Sequence, residues 1–249
     1  PARRARARTR PRGAGGRSMS AAETPPLFVR ALGADFQRLH PRLQHRFSAG
    51  LSTGRGCVGR GVMHRVWHGR WPVRPLLALG ALRNVLLPEA GENVPFTVVN
   101  APYRDSFGRE ALTFVRSFAF PQRRRRFDAH MVYSPERGCI VDYLGTHQHL
   151  ATDLHAAAGP GGELLIESGR HRLREGPVDA GVPAALAGRA RVRESYDDRA
   201  GCFRIAVVVD NPVLGALFGY EGWFEADYPD AAALGRCAGL RAVREEQRV

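Results

Sequence analysis

The chain has 249 residues, of which 44% are apolar, and its formal net charge at pH 7 is +13. This length and this apolar fraction suffice for a sizeable hydrophobic core and argue against a chain that is disordered throughout. No apolar run approaches the roughly 18 residues that a membrane-spanning helix needs, so we expect no transmembrane segment.

The basic residues are uneven in type and in distribution. All 37 are arginine, and residues 1–18 hold seven of them and no acid, which leaves 13 − 7 = +6 for the rest. Because blocks of like charge are usually solvated tails, we interpret residues 1–18 as a disordered tail or a mis-assigned start. Residues 19–249 are then one β-rich domain. A nucleic-acid arm and a targeting peptide are the alternatives, but no apolar stretch follows to form a secretory signal.

The four cysteines lie far apart, at Cys57, Cys139, Cys202 and Cys237, and none belongs to a Cys-x-x-Cys pair. Their spacing argues against a zinc ribbon and against a small disulfide scaffold. We therefore expect reduced cysteines and a cytoplasmic protein.

Two helices are predicted near the start of the domain. The first covers residues 25–47 and is kinked or restarted at Pro41. A glycine-rich loop follows, and residues 61–68 alternate as a strand does. Residues 74–87 carry leucines nearly all round a helix, so we expect this second helix to be buried or to plug an opening.

The pattern of residues 108–155 predicts an antiparallel meander around which the fold is organised. Apolar and polar residues alternate with a period of two, which is typical of half-buried strands, and turn residues separate the runs. The positions that share a face in the three runs are Leu112, Phe114, Arg116, Phe118 and Phe120; Phe127, Ala129, Met131 and Tyr133; and Ile140, Asp142 and Leu144.

Further strands are predicted over residues 94–100, 146–156, 163–174, 189–196, 202–209 and 214–227, with a short helical turn around Pro183. The chain is therefore mainly β (α+β), with about nine antiparallel strands. A sheet of this length must curl or close, which predicts a barrel or a deeply curved sheet. A helix-grip fold is the alternative, although the long C-terminal helix that it requires is missing.

Several short motifs resemble one bacterial family in their order and spacing. They are residues 107–109, Arg116-Ser117-Phe118, Arg126-Phe127, residues 188–194 after the turn at Pro183, and residues 203–207, 210–215 and 220–222. Together they are similar to the family called domain of unknown function 4166, over about residues 32–227.

Asp142 stands where that family usually has Glu, and the run from Thr146 to His149 is unfamiliar in it. The resemblance implies a fold more than a chemistry, because no activity is established for the family. It also implies a possible reductase or dehydrogenase partner, since such domains often precede this one.

Three charged residues occupy strand faces that are otherwise apolar: Arg116, Asp142 and Glu194. A charge on an inward face costs several kcal/mol unless it is paired, so we expect Arg116 to hydrogen-bond at least one of the two acids. With Tyr220 they form the candidate interior cluster, which would orient a ligand or act as an acid/base pair. A purely structural ion-pair network, or strand faces assigned backwards, are the alternatives.

Weaker candidates are His147, His149, Arg126 and Asn211. The two histidines would point the same way on a strand, but a His-x-His pair alone is a weak metal signal, so we predict no metal and no cofactor. The arginine run 123–126 lacks the interleaved aromatic residues of a nucleic-acid surface, and a solvated hairpin tip is the simpler interpretation.

These observations favour a cavity that binds a small, largely apolar ligand, in an accessory module that is not catalytic. One alternative is an enzyme that uses the Arg116, Asp142 and Glu194 cluster for acid/base chemistry beside a reductase partner, and another is a structural interaction domain. A serine hydrolase and a phosphate-binding loop protein are not supported, because neither a Gly-x-Ser-x-Gly elbow nor a Walker loop occurs.

Overall fold

The computed structural model describes residues 24–70, 73–237 and 239–249, so the predicted tail at residues 1–18 lies outside the described residues. The strands are β1 Cys57–His68, β2 Gly91–Asn100, β3 Pro102–Arg104, β4 Glu110–Phe120, β5 Arg123–Ser134, β6 Cys139–Leu144, β7 Leu150–Ala158, β8 Leu164–Glu175, β9 Val178–Gly181, β10 Arg189–Asp197, β11 Cys202–Asn211 and β12 Gly215–Asp227. The helices are α1 Leu27–Leu32, α2 Pro41–Phe47, α3 Arg74–Ala81 and α4 Ala231–Gly235, with a 3-10 helix at Gly33–Arg38. None of the described helices has the length and apolarity that crossing a bilayer requires.

Ten antiparallel strands close into a barrel in the order β1–β2–β4–β5–β6–β7–β8–β10–β11–β12, after which β12 pairs with β1. The closing pairs include Val58 opposite Asp227, and the β8–β10 seam includes Leu164 opposite Glu194. The short strands β3 and β9 extend the sheet beside β4 and β8. The predicted fold class is therefore confirmed in its barrel form. Because side chains nearly fill a barrel of about eight strands, ten leave room inside.

The interior faces are the ones that the alternating pattern predicts. Phe114, Phe118, Phe127 and Met131 are buried and belong to one hydrophobic core that runs through the barrel. Arg116 and Asp142 share these inward faces and are also buried. The alternation fixes the register, since a slip of one residue would turn the whole apolar set to solvent.

The first predicted helix is in fact three short ones, which close one end of the barrel. The chain breaks at Gly33, which has a φ of 54° that favours glycine, and restarts at Pro41, the first residue of α2. Phe28 of α1 and Leu43 of α2 are fully buried against the strands. The breaks divide the segment into three short helices, each of which buries apolar residues against the barrel.

Helix α3 covers part of the opposite end, and the prediction that it is buried is only partly right. It ends at Ala81 rather than Leu87, and Leu77 is fully buried. Leu79 and Leu82, by contrast, are 67% and 79% exposed. The helix therefore lies over the barrel end as a cover with an apolar outer side, and it does not insert as a plug.

The last residues of the chain cover the outer face of β4 to β7, which the sequence did not predict. Tyr103, Val132 and Tyr143 form a second apolar cluster on that face, against which Val249 packs. The Glu246 carboxylate accepts hydrogen bonds from Arg244 and Arg248 there, and these bonds help to lower the pKa of Glu246 to about 2. The sheet is therefore buried on both faces in this part of the barrel.

Candidate functional site

A cavity of about 270 Å³ lies inside the barrel. Its walls are mostly apolar and include Phe96, Phe114, Met131, Leu154, Val192 and Val207. Leu76 of α3 and Leu186 of the turn before β10 also line the cavity, and they are 44% and 76% exposed. The cavity therefore reaches the surface between α3 and that turn.

Arg116 lies on the cavity wall and has no acidic hydrogen-bond partner in the described part of the chain. Its Nη1 donates to the Tyr220 hydroxyl at 3.4 Å, and its guanidinium carbon lies 4.1 Å from the centre of the Phe127 ring. Its Nε has no hydrogen-bond partner among the described residues. The expectation that Arg116 bonds directly to Asp142 or Glu194 is therefore wrong, although all three residues and Tyr220 line the same cavity.

Glu194 is paired with Arg46, a residue that the sequence did not single out. Arg46 Nε donates to Glu194 Oε1, and its Nη1 donates to Asn100 Oδ1 at 2.8 Å and to Cys57 Sγ at 2.9 Å. Burial alone lowers the pKa of Arg46, but the attraction of Glu194 and Cys57 more than offsets this, so the pKa lies above its ordinary value. Arg46 lies three residues after Leu43, so both are on the same, apolar side of α2. This spacing indicates that Arg46 is buried.

Asp142 is buried and has one oxygen, Oδ1, without a hydrogen-bond partner among the described residues. Burial raises the pKa of Asp142 to about 7, despite the nearby positive charge of Arg116, which lowers it. The carboxyl group is therefore partly protonated at neutral pH. It can donate as well as accept a hydrogen bond, and it can exchange a proton with a group bound in the cavity.

Asp142 belongs to a polar row that crosses three strands. It lies opposite Thr152 on β7, which lies opposite His171 on β8, and all three line the cavity. Thr152 Oγ1 and His171 Nδ1 are 2.8 Å apart. Burial lowers the pKa of His171, and the attraction of Asp153 only partly offsets this, so the imidazole is neutral at pH 7.

The alternating pattern does not predict that His171 faces the cavity, because a β-bulge interrupts the alternation. The register of β7 against β8 shifts between Thr152 and Leu154, so that Leu154 pairs with Ser168 while Thr152 pairs with His171. If inward and outward positions alternated strictly from Ile166, the His171 side chain would point out of the barrel. The extra residue on β8 turns this side chain inward. Bulges of this kind commonly re-aim a side chain beside a site.

The predicted strand that would hold His147 and His149 begins only at Leu150, so both histidines lie in a loop. Their rings stack with centroids 5.4 Å apart, but His149 Nδ1 lies 2.5 Å from Glu175 Oε2 and Arg83 contacts its Nε2. Among the described residues, no group of His, Cys, Asp and Glu side chains has the arrangement of a metal site.

Arg126 and Asn211 lie outside the cavity wall. The arginine run begins β5 rather than forming a hairpin tip, and Arg126 pairs with Asp128 on the outer face at 2.9 Å. Asn211 is buried and donates to the carbonyls of Ala185 and Ala187 at 2.9 and 2.8 Å. Asn211 therefore anchors the turn that carries Leu186 at the cavity mouth.

The chain matches known proteins along most of its length. The model of a family described as "Domain of unknown function (DUF4166)" matches residues 39–224. The chain is 33% identical over 193 residues to "Uncharacterized protein YndH" of Bacillus subtilis (strain 168), and this alignment covers 78% of the chain and 93% of that protein. No solved structure matches the chain.

Proposed function

We propose that this chain, which belongs to the DUF4166 family, binds a small and largely apolar molecule inside its barrel, as an accessory module without catalytic activity of its own. The observation that carries the proposal is the cavity, whose apolar walls enclose a few convergent polar side chains. Concave sites of this composition are typical of small-molecule binding. A purely structural interaction domain would have filled its interior instead.

The size of the cavity limits the ligand. Its volume of about 270 Å³ is just below the range of about 300–1,000 Å³ in which drug-sized ligands usually bind. The ligand is therefore small, or it extends out between Leu76 and Leu186 at the mouth. Apolar walls supply affinity through burial, and the few polar groups fix the orientation of the ligand.

Filling the cavity should abolish binding. In Val192→Phe the larger ring would project from β10 into the space that the ligand needs, because Val192 lines the cavity. The matched control is Val208→Phe on the adjacent strand, where Val207 and Val209 take the inward positions and Val208 faces outward. We expect native mass spectrometry of wild-type protein to show a bound small molecule, which Val192→Phe loses and Val208→Phe keeps.

The same variants give a second measurement. A neutral dye such as Nile red, which brightens in apolar surroundings, should bind Val192→Phe at least about tenfold more weakly than wild type, a loss of about 1.4 kcal/mol. The control should bind it as the wild type does, and both variants should melt cooperatively. Equal dye binding by a folded Val192→Phe variant, with no co-purified molecule in any sample, would rule out the cavity as the binding site.

Acid/base catalysis is a second candidate, and the environment of Asp142 favours it. A carboxyl group with a pKa of about 7 is suited to proton transfer at neutral pH, and its neighbours are the Thr152 hydroxyl and the neutral His171. The predicted triad would need revision in that case, because Arg46 neutralises Glu194. A turnover that Asp142→Asn eliminates would support this candidate over simple binding.

A further inference from the structure

We propose that the molecule in the cavity is a monocarboxylate with an apolar body, whose carboxylate is bound by Arg116 together with Tyr220 and Asp142. This inference rests on the proposed function and names the chemical class of the ligand. It follows from the charges that face the cavity, from the Nε of Arg116, which has no partner among the described residues, and from the apolar walls.

The interior has an excess of positive charge. Among the residues that the structure describes, the titratable or charged side chains that line the cavity are Arg46, Arg116, Asp142, His171, Glu194 and Tyr220. Arg46 and Glu194 neutralise one another in a buried pair, and His171 is uncharged because burial lowers its pKa. Of the acids among the described cavity residues, Asp142 is then left to balance the fixed charge of Arg116, and it is partly protonated at neutral pH. Asp128, which Arg116 also attracts, lies on the outer face, where it pairs with Arg126. A bound monoanion would restore neutrality.

The donors of Arg116 are arranged to receive a carboxylate. Its guanidinium carbon lies 4.1 Å from the centre of the Phe127 ring and 5.9 Å from that of the Phe114 ring, so cation–π contacts help to hold the group in place on the cavity wall. Nε has no partner among the described residues, and Nη1 has only the long contact to Tyr220. A guanidinium edge binds a carboxylate through two parallel hydrogen bonds, and the Tyr220 hydroxyl can provide a third donor.

Asp142 does not prevent an anion from binding nearby, because its carboxyl group can be protonated and therefore neutral. When its carboxyl group is protonated, the unpaired Oδ1 side of that group can donate to the bound carboxylate instead of repelling it. A second negative charge nearby raises the pKa of Asp142 further. Binding should therefore take up a proton above pH 7, which couples the affinity to pH.

The walls around Arg116 suit an apolar body. Leu154, Ile166 and Val192 line the same cavity as Arg116, and Leu76 and Leu186 line it at the mouth. A straight or branched hydrocarbon of medium length matches these walls, and its burial supplies about 0.8 kcal/mol per methylene group. A ligand with several polar groups along its length would leave them without partners.

The first experiment needs no variant. Decanoate, decanol and decylamine are compared, below their aggregation limits, as competitors of Nile red at pH 7. Decanoate is expected to displace the dye at a concentration at least about tenfold lower than decanol, and decylamine is expected to be weakest. Equal displacement by decanol and decanoate would overturn the carboxylate inference and leave the proposed cavity binding intact. Displacement by none of the three, together with no dye binding, would refute both.

The second experiment tests Arg116 directly. Arg116→Met should weaken decanoate binding by about tenfold to a hundredfold, the range for a hydrogen bond to a charged group, and leave decanol binding within about threefold. Arg124→Met, which alters an exposed arginine on β5, should change neither. If Arg116→Met does not fold, Arg116→Lys can replace it. Lysine keeps the positive charge but cannot form the bidentate hydrogen bonds of a guanidinium group, so this variant should still bind decanoate more weakly and leave decanol binding unchanged. Unchanged decanoate affinity in a folded Arg116 variant would overturn the inference.

The third experiment uses pH. Decanoate should bind wild-type protein about tenfold or more weakly at pH 9 than at pH 6, because binding at the higher pH must first protonate Asp142. Asp142→Asn should bind decanoate with nearly the same affinity at both pH values, because its amide donates a hydrogen bond as the protonated acid does. A pH dependence that survives in Asp142→Asn would contradict the role given to Asp142.

Discussion

Replacement of Arg46 by methionine is expected to lower the free energy of unfolding by about 3–5 kcal/mol, the usual cost of removing one partner of a buried ion pair. Arg46 and Glu194 are each 2% exposed, so the carboxylate left behind would lose its charged partner inside the barrel. Asn100 and the Cys57 thiol would also lose their hydrogen bonds to Arg46. Urea denaturation at pH 7, followed by circular dichroism, measures the effect.

The control for Arg46 is available on the same helix. Arg42→Met removes an exposed arginine of α2 and should change the free energy of unfolding by less than about 1 kcal/mol. The double variant Arg46→Met/Glu194→Leu should recover much of the loss, because it leaves no unpaired buried charge. A double variant as unstable as Arg46→Met alone would show that packing, and not the stranded carboxylate, accounts for the loss.

Asp142→Asn is expected to stabilise the protein, by about 2–4 kcal/mol at pH 8 and by little at pH 4. The pKa of Asp142 is about 7 in the folded protein, and that of an aspartate in an unfolded chain is about 3.9. Between these values the folded protein holds a proton that the unfolded chain releases. The wild type therefore loses stability as the pH rises from about 4 to 7 and remains less stable above that. Asparagine has the same shape and does not ionise.

Melting temperatures of both proteins across this pH range would test the expectation. The difference between variant and wild type should grow with pH and level off above about pH 7. Asp227→Asn, whose carboxylate is 77% exposed in the wild type, is the control and should show a small effect at every pH. No gain at pH 8, or a gain that is the same at pH 4, would show that Asp142 ionises normally in the folded protein. A carboxylate that lowers stability is typical of a residue kept for function.

The barrel and its inward faces could be predicted from sequence because they depend on a period of two. Phe114, Arg116 and Phe118 alternate without interruption along β4, and the same holds for Ala190, Val192 and Glu194 along β10. Such a pattern fixes which side chains point inward even when the strand partners are unknown. Arg116, Asp142 and Glu194 could therefore be named as residues that share the cavity, although not the pairs that they form.

The pairs depended on features that alternation does not encode. Arg46 lies on a helix that is 148 residues away from Glu194 in the sequence. A single charged residue on an apolar helix face does not indicate which residue it pairs with. His171 turns inward only because of the bulge against β7. The cover over Tyr143 comes from the last residues of the chain, which have no regular secondary structure and many charges. It is held by contacts such as the hydrogen bond that the Tyr143 hydroxyl donates to the Arg248 carbonyl, and no periodic pattern announces them.

The closure of the ring by β1 and β12 has a consequence for synthesis on the ribosome. Val58 pairs with Asp227, so one edge of β1, the first strand of the barrel, stays unpaired until β12, the last strand, has been made. Pairing of segments so distant in sequence raises the contact order, which slows folding and leaves strand edges open meanwhile. The nascent chain can form the local hairpins β4–β5 and β11–β12 early, since each joins neighbouring strands. The interior that would hold a ligand, however, exists only after translation has passed β12, so a ligand cannot template the early steps of folding.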